Sequence, residues 1–313
     1  MKSVIDVIKS LAVPFLGTRQ ARQEYREQQK LRSAMQSIDI LRRLIPESAA
    51  QDKDQPIFVL SAGWRSGSTL VQRLLMSDQN TLVWGEIYDR SNIVQNLTKT
   101  ILPFSDSWPP KGYLRATNTS GDLSEQWVAN LYPSPTALRD SYRALIKRLL
   151  AQPAQELGAT RWGMKEVRFG MEEAAFLRWI FPECKIVFVY RNPYDAYISY
   201  KKYSPALSWY AAWPTSMAST PTVFGKHWKE KVDGFLKSAS KLNAHIVQYE
   251  RLITEPEIAQ ELGNYCGLNI DTNTLQSRVG SGSAERELGM VELLLLRLSI
   301  GPRASTLGYE GPS

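Results

Sequence analysis

The residues best suited to chemistry begin with Ser61-Ala62-Gly63-Trp64-Arg65-Ser66-Gly67-Ser68-Thr69, between the apolar run Ile57–Leu60 and a helical run through Val71, Leu74 and Leu75. A glycine- and hydroxyl-rich turn between a strand and a helix turns backbone N–H groups and the positive helix end toward an anion, so it can cradle phosphate. A plain helix cap on Ser68 would have the same composition. In the nucleotide-hydrolase loop G-x-x-x-x-G-K-[ST] a lysine follows the last glycine; here Ser68 stands there, and the cation of the loop is Arg65, before Gly67. A nucleophile elbow centred on Ser66 fails too, because Trp64 and Ser68 occupy its glycine positions.

A second stretch, Lys185–Tyr190, is the strongest apolar run and leads into Arg191-Asn192-Pro193-Tyr194-Asp195, with Ser199 further along. Pro193 suits the first turn of a helix, which puts Arg191 at the carboxyl end of a strand and Ser199 about two turns into the helix. A guanidinium and a hydroxyl can then meet a second phosphate; an Arg191–Asp195 pair that only caps the helix is the plainer reading. Lys165, in Trp162-Gly163-Met164-Lys165-Glu166, ends another short strand and falls on the same sheet edge as Arg65. Glu166 would point to the opposite side of that extended segment.

These residues need a scaffold that brings strand ends together. Short strands read at 57–60, 82–84, 162–164, 185–190 and 245–249 alternate with helical patterns at 69–76, 137–150, 171–180 and 224–242. Strand and helix in alternation imply right-handed crossovers: an α/β fold in three layers, a mostly parallel sheet of about five strands flanked by helices, with ligands at the carboxyl ends. Residues 19–45 carry apolar positions at helical spacing and end at Pro46, which makes residues 1–50 an N-terminal helical arm, suited to packing or homo-oligomer formation, and 51–313 the main domain. Two aromatic, proline-rich stretches, 101–135 with Trp108 and Trp127 and 203–221 with Trp209 and Trp213, read either as loops covering a substrate or as aromatics plugging the core.

The 313 residues are 43% hydrophobic and 22% charged, the composition of a folded protein. A net charge of +7 suits an anionic ligand or surface. Two cysteines and two histidines, His227 and His245, argue against a disulfide framework, a zinc site and histidine relays, and leave carboxylates, Lys, Arg and hydroxyls to do the chemistry. Residues 1–16 lack a clean signal-peptide core, and no uncharged apolar run reaches membrane-spanning length. A soluble, cytoplasmic protein is expected, with peripheral membrane contact left open by the apolar spacing of the first helix.

Taken together, Arg65-Ser66-Gly67-Ser68-Thr69 and Arg191-Asn192-Pro193-Tyr194-Asp195 with Ser199 resemble the two signature segments of the sulfotransferase superfamily that uses 3'-phosphoadenosine 5'-phosphosulfate (PAPS), over roughly residues 57–288. The resemblance implies a P-loop-like sulfotransferase fold, the first segment on the 5'-phosphosulfate and the second on the 3'-phosphate. It also implies adenosine 3',5'-bisphosphate (PAP) as product; a small-molecule or carbohydrate acceptor and no nucleic-acid partner are expected, and no metal, since the cations are side chains and no acidic cluster accompanies the cradle. Tyrosylprotein- and carbohydrate-type members have a lysine at the end of the third strand and a glutamate after the second; here these match Lys165 and Glu86, in Val83-Trp84-Gly85-Glu86. Glu86 is then the expected general base, with Arg65 and Lys165 stabilising the leaving group. The resemblance further carries over Tyr249, in Tyr249-Glu250-Arg251-Leu252, toward the adenine, and Arg278 and Ser281 as a loop closing over the nucleotide. A P-loop kinase or hydrolase and a non-catalytic scaffold are the competing readings.

Overall fold

Residues 33–45, 53–110, 113–114, 129, 131–203, 220–276 and 288–313 are described by the computed structural model. Their strands are β1 (Ile57–Ser61), β2 (Thr81–Trp84), β3 (Arg161–Glu166), β4 (Lys185–Tyr190) and β5 (Ala244–Gln248), paired in parallel in the order β2-β3-β1-β4-β5. In chain order the helices are α1 (Ala34–Leu44), α2 (Ser68–Leu75), α3 (Ile93–Ile101), α4 (Pro135–Ile146), α5 (Gln152–Glu156), α6 (Met171–Ile180), α7 (Pro193–Tyr203), α8 (Pro221–Leu242), α9 (Tyr249–Thr254), α10 (Pro256–Cys266), α11 (Met290–Ile300) and α12 (Pro302–Thr306). The α/β expectation holds, with strand limits within a residue or two of those read from the apolar runs. The pattern at 137–150 instead continues through a π-helical turn, Lys147–Ala151, into α5. Pro153 lies in that run, and a proline ring cannot supply the backbone N–H that a regular helix requires.

The chain divides into two compact units, Ala50–Gln95 with Arg139–Ser313, and Met1–Ala49 with Asn96–Leu138. The first holds the sheet. Alternate side chains of β1 face opposite sides: Ile57 and Val59 join Val71, Leu74, Leu252 and Leu262 of α2, α9 and α10, whereas Phe58 meets Trp162 and Phe181. On that second face Phe188 of β4 stacks on Phe235 of α8 with centroids 4.0 Å apart. Burial on both faces is why β1 and β4 read as unbroken apolar runs. Gly163 sets the fit of β3, since a Cβ there would lie 2.1 Å from the Ile57 carbonyl oxygen.

Connections leave β1 toward β2 and leave β4 toward β5, in opposite directions across the sheet. The crevice between the carboxyl ends of β1 and β4 is therefore the topological switch point, where open α/β sheets bind ligands. In the second unit, α1 starts with a Ser33–Gln36 capping box, and Ser37 donates to the Leu102 carbonyl at 3.2 Å. Trp108 packs there edge-on against Phe104, with Tyr132 and Tyr113 adjoining. Trp127, Trp209, Trp213 and most of the N-terminal arm lie outside the described residues. None of the described helices is long and apolar enough to cross a membrane.

Candidate active site

Three segments meet at the carboxyl edge of the sheet. After β1, the Ala62 amide still pairs with the Val189 carbonyl at 3.0 Å, and the loop then reverses through positive φ at Gly63 (116°), Arg65 (62°) and Gly67 (91°). Arg65 is strained there, because a Cβ disfavours the left-handed region. Its neighbours hold it: Trp64 is buried against Tyr200 and His227 of the helices behind the loop. Gly67 is required twice, by its φ and because a Cβ would lie 2.2 Å from the Tyr249 ring. Gly67 ends at the positive pole of α2, with Ser66 and Ser68 buried beside it and Thr69 exposed. The Ser66 hydroxyl has no hydrogen-bond partner among the described residues. A buried hydroxyl without a partner is costly, and an oxyanion at the loop would satisfy it.

The second segment lies across the switch point. Asn192 begins α7 as its cap, its Oδ1 accepting the Tyr194 amide at 2.9 Å, and Pro193 opens the helix. Arg65 Nε donates to Ser199 Oγ at 2.9 Å, and Arg191 Nη1 donates to the Arg65 carbonyl at 3.4 Å. The Arg191 guanidinium lies over the Tyr249 ring, 4.7 Å from its centroid, and its buried Nε has no partner among the described residues. Arg65, Arg191, Ser199, Tyr249 and Gly67 therefore share one place. Ser199 meets Arg65 rather than Arg191, and Asp195 accepts the Ser313 amide at 3.0 Å. Arg278 and Ser281 lie outside the described residues.

The third segment supplies the chemistry. Lys165, at the end of β3, donates from Nζ to Glu86 Oε1, and the two side chains are only 9% and 16% exposed. Glu86 thus meets the cation and does not cap the turn that follows it. Its second oxygen, Oε2, is buried without a hydrogen-bond partner among the described residues. Burial raises the Glu86 pKa above the usual carboxylate value, and the Lys165 charge and hydrogen bond only partly offset this. A carboxylate with one oxygen free and its basicity raised can take a proton from a hydroxyl. Glu166 points away, as expected, into a buried pair with Arg168.

Some residues that hold this arrangement were not assigned a role from the sequence. Glu250 Oε1 accepts the Asn192 amide at 2.8 Å, while Oε2 accepts from the Tyr309 hydroxyl at 2.8 Å. Trp228 Nε1 donates to the Arg191 carbonyl at 3.0 Å. Asn192 was detectable, as an Asn before Pro at a helix start; Tyr309 and Trp228 were not, because nothing local marks their distant partners. Among the described residues no group of three or more His, Cys, Asp or Glu is placed to hold a metal ion.

A family model, the sulfotransferase family, matches residues 56–272, more than half of the chain. No curated protein matches it. Solved structures similar to it include the sulfotransferase STF9 of Mycobacterium avium (16% identity, 78% of this chain and 72% of that one, TM-score 0.38). Mouse sulfotransferase SULT7A1, complexed with PAP, is 14% identical over 78% of this chain and 68% of that one, with a TM-score of 0.38. The sulfotransferase domain of the Synechococcus PCC 7002 olefin synthase is 14% identical over 85% of this chain and 99% of that one, with a TM-score of 0.43. The match over 56–272 spans the cradle after β1, Lys165 and the segment after β4, and the chain accordingly belongs to the sulfotransferase family.

Proposed function

We propose that this sulfotransferase moves the sulfuryl group of PAPS to a hydroxyl or amine of a small-molecule or carbohydrate acceptor, with Glu86 as general base. The observation that carries the reading is the buried Glu86–Lys165 pair at the ligand-binding edge of the sheet, whose Glu86 Oε2 has no hydrogen-bond partner among the described residues. The cradle fits the donor. Residues 65–69 would hold the 5'-phosphosulfate, Arg191 and Ser199 the 3'-phosphate, and Tyr249 the adenine, and Ser66 Oγ and Arg191 Nε, without partners among the described residues, are donors that such oxyanions would satisfy. Bound there, PAPS supplies an activated sulfuryl group and a phosphate leaving group.

Glu86 Oε2 takes the proton of the acceptor. The Lys165 ammonium, held beside Glu86 until then, and the Arg65 guanidinium stabilise negative charge as it builds on the leaving phosphate. In-line geometry does the remainder, because sulfuryl transfer, like phosphoryl transfer, asks for positioning and charge stabilisation more than covalent help. A kinase or hydrolase reading lacks its lysine, since Ser68 stands in its place. We place the reaction in the cytoplasm, and propose for the N-terminal arm a role in self-association or peripheral membrane contact. Calorimetry with PAP, followed by transfer of labelled sulfate from PAPS to a panel of hydroxyl and amine acceptors, tests the reading. Binding of ATP with magnesium in preference to PAP would overturn it.

A further inference from the structure

Directly after Glu86 the chain enters a strained turn. Tyr88 (φ 43°) and Asn92 (φ 50°), neither a glycine, are left-handed on either side of the 3-10 turn Asp89–Ser91. Such backbone persists only where its surroundings hold it. Ser91 closes the turn locally, its amide and hydroxyl donating to the Tyr88 carbonyl at 2.7 and 2.6 Å, and Arg168, just past the end of β3, ties the turn to the sheet. Its Nη1 donates to the Asp89 carbonyl and, at 3.2 Å, to Asn92 Oδ1. Its Nε donates to Glu166 Oε1 at 2.8 Å and its Nη2 to Glu166 Oε2, a bidentate fork. The Arg168 and Glu166 side chains are 5% and 3% exposed. The strand exit itself is pinned from α8, where Lys231 Nζ donates to the Val167 carbonyl between them.

A buried ion pair is a weak source of stability, because desolvation of both charges offsets their attraction. It is better explained by what its geometry fixes. Arg168 bridges the exit of the strand that carries Lys165 and the turn that follows Glu86. We propose that Arg168 is a positioning residue for the reaction: through Asp89 and Asn92 it fixes the turn that sets the Glu86 carboxylate against Lys165, and Glu166 orients its guanidinium. Lysine would not replace it, because an ammonium cannot hold a carboxylate with a fork while also reaching the turn.

This inference rests on Glu86 as the base, so the test separates the two. The variants are Arg168→Lys, which keeps the charge and loses the fork, and the double variant Glu166→Gln with Arg168→Met, which removes both charges of the pair together. Each is compared with the parent enzyme by PAP calorimetry, by amide hydrogen exchange over residues 86–92, and by labelled sulfuryl transfer to the fastest acceptor among 2-naphthol, tyramine and N-acetylglucosamine. Both variants are expected to bind PAP within about twofold of the parent and to exchange amides 86–92 at least about tenfold faster, as a released local unit does. Turnover should fall by up to about a hundredfold with the acceptor KM nearly unchanged, as for a group displaced by about 1 Å. Unchanged exchange over 86–92 in both variants would overturn the inference, and so would a lower melting temperature with turnover intact, which marks a merely structural pair. If Glu86→Gln retains turnover while exchange over 86–92 still rises, the clamp stands and the base assignment falls.

Discussion

Arg65 Nε donates to Ser199 Oγ at 2.9 Å, joining two segments 134 residues apart across the switch point between β1 and β4. The loop that follows the first strand and the helix that follows the fourth thus close over one point, where one ligand can touch both. Removing the hydroxyl should loosen the ligand from both sides. Ser199→Ala is expected to weaken PAP binding by about tenfold, the equivalent of about 1.4 kcal/mol, with the melting temperature of the ligand-free protein little changed, since the Arg65 side chain is exposed. Isothermal calorimetry measures the first and a thermal melt the second.

Gly67 has the left-handed φ and the closest approach to the Tyr249 ring. Gly67→Ala is expected to destabilise the fold by at least about 1 kcal/mol through backbone strain and overpacking, and to lower PAP affinity as Tyr249 is pushed off the loop. Gly63→Ala provides the comparison. Its φ is equally unfavourable, but nothing lies within 4 Å of the added Cβ, so it should cost strain without displacing Tyr249. Chemical denaturation of both variants separates steric crowding from strain.

Glu86 works as a base only when deprotonated, and its burial raises the pH at which that happens. The acid limb of kcat/KM is expected above the ordinary glutamate value of about 4.3. The Lys165 charge opposes the burial effect, so in Lys165→Met the acid limb of the residual activity should move further upward. The sign for stability is the reverse of a salt-bridged carboxylate: the folded state holds this proton more tightly than the unfolded chain. The stability contribution of Glu86 is therefore largest at low pH and is lost as pH rises from the unfolded to the folded pKa. A pH–rate profile of the parent and variant checks the activity claim.

Tyr309 reaches Glu250, which in turn holds the Asn192 amide beside Arg191. Tyr309→Phe leaves one Glu250 oxygen and the Gln248 amide without that partner in a half-buried site. The expected cost is about 1–3 kcal/mol of stability, with a smaller loss of PAP affinity through Asn192. Urea denaturation with and without PAP distinguishes the two effects.

How much of this could be read from the chain depends on how local the cause is. The buried runs at 57–61 and 185–190 announce β1 and β4, because a strand covered on both faces has no polar side to disguise it. The cradle and the Arg191 segment are legible for the same reason, since glycines, hydroxyls and Pro193 mark their backbone locally. Glu86 and Lys165 were placed by motif position, and their pairing by the register of β2, β3 and β1, which no local pattern encodes. Arg168, Glu250 and Tyr309 were missed because the groups they tie to the site, the Asp89 carbonyl, the Asn192 amide and Glu250, lie 58 to 79 residues away. Trp108 carries no local mark of its role, for a large aromatic looks the same whether it packs on Phe104 or on a substrate.

The central claim is that the Glu86 carboxylate takes the acceptor proton, and it is tested most directly by Glu86→Gln, which preserves shape and removes basicity. PAP affinity should remain within about threefold of the parent, while sulfuryl transfer from labelled PAPS should fall by about a hundred- to ten-thousandfold, the range that a general base contributes. Transfer at the parental rate by a Glu86→Gln protein that binds PAP normally would contradict the account.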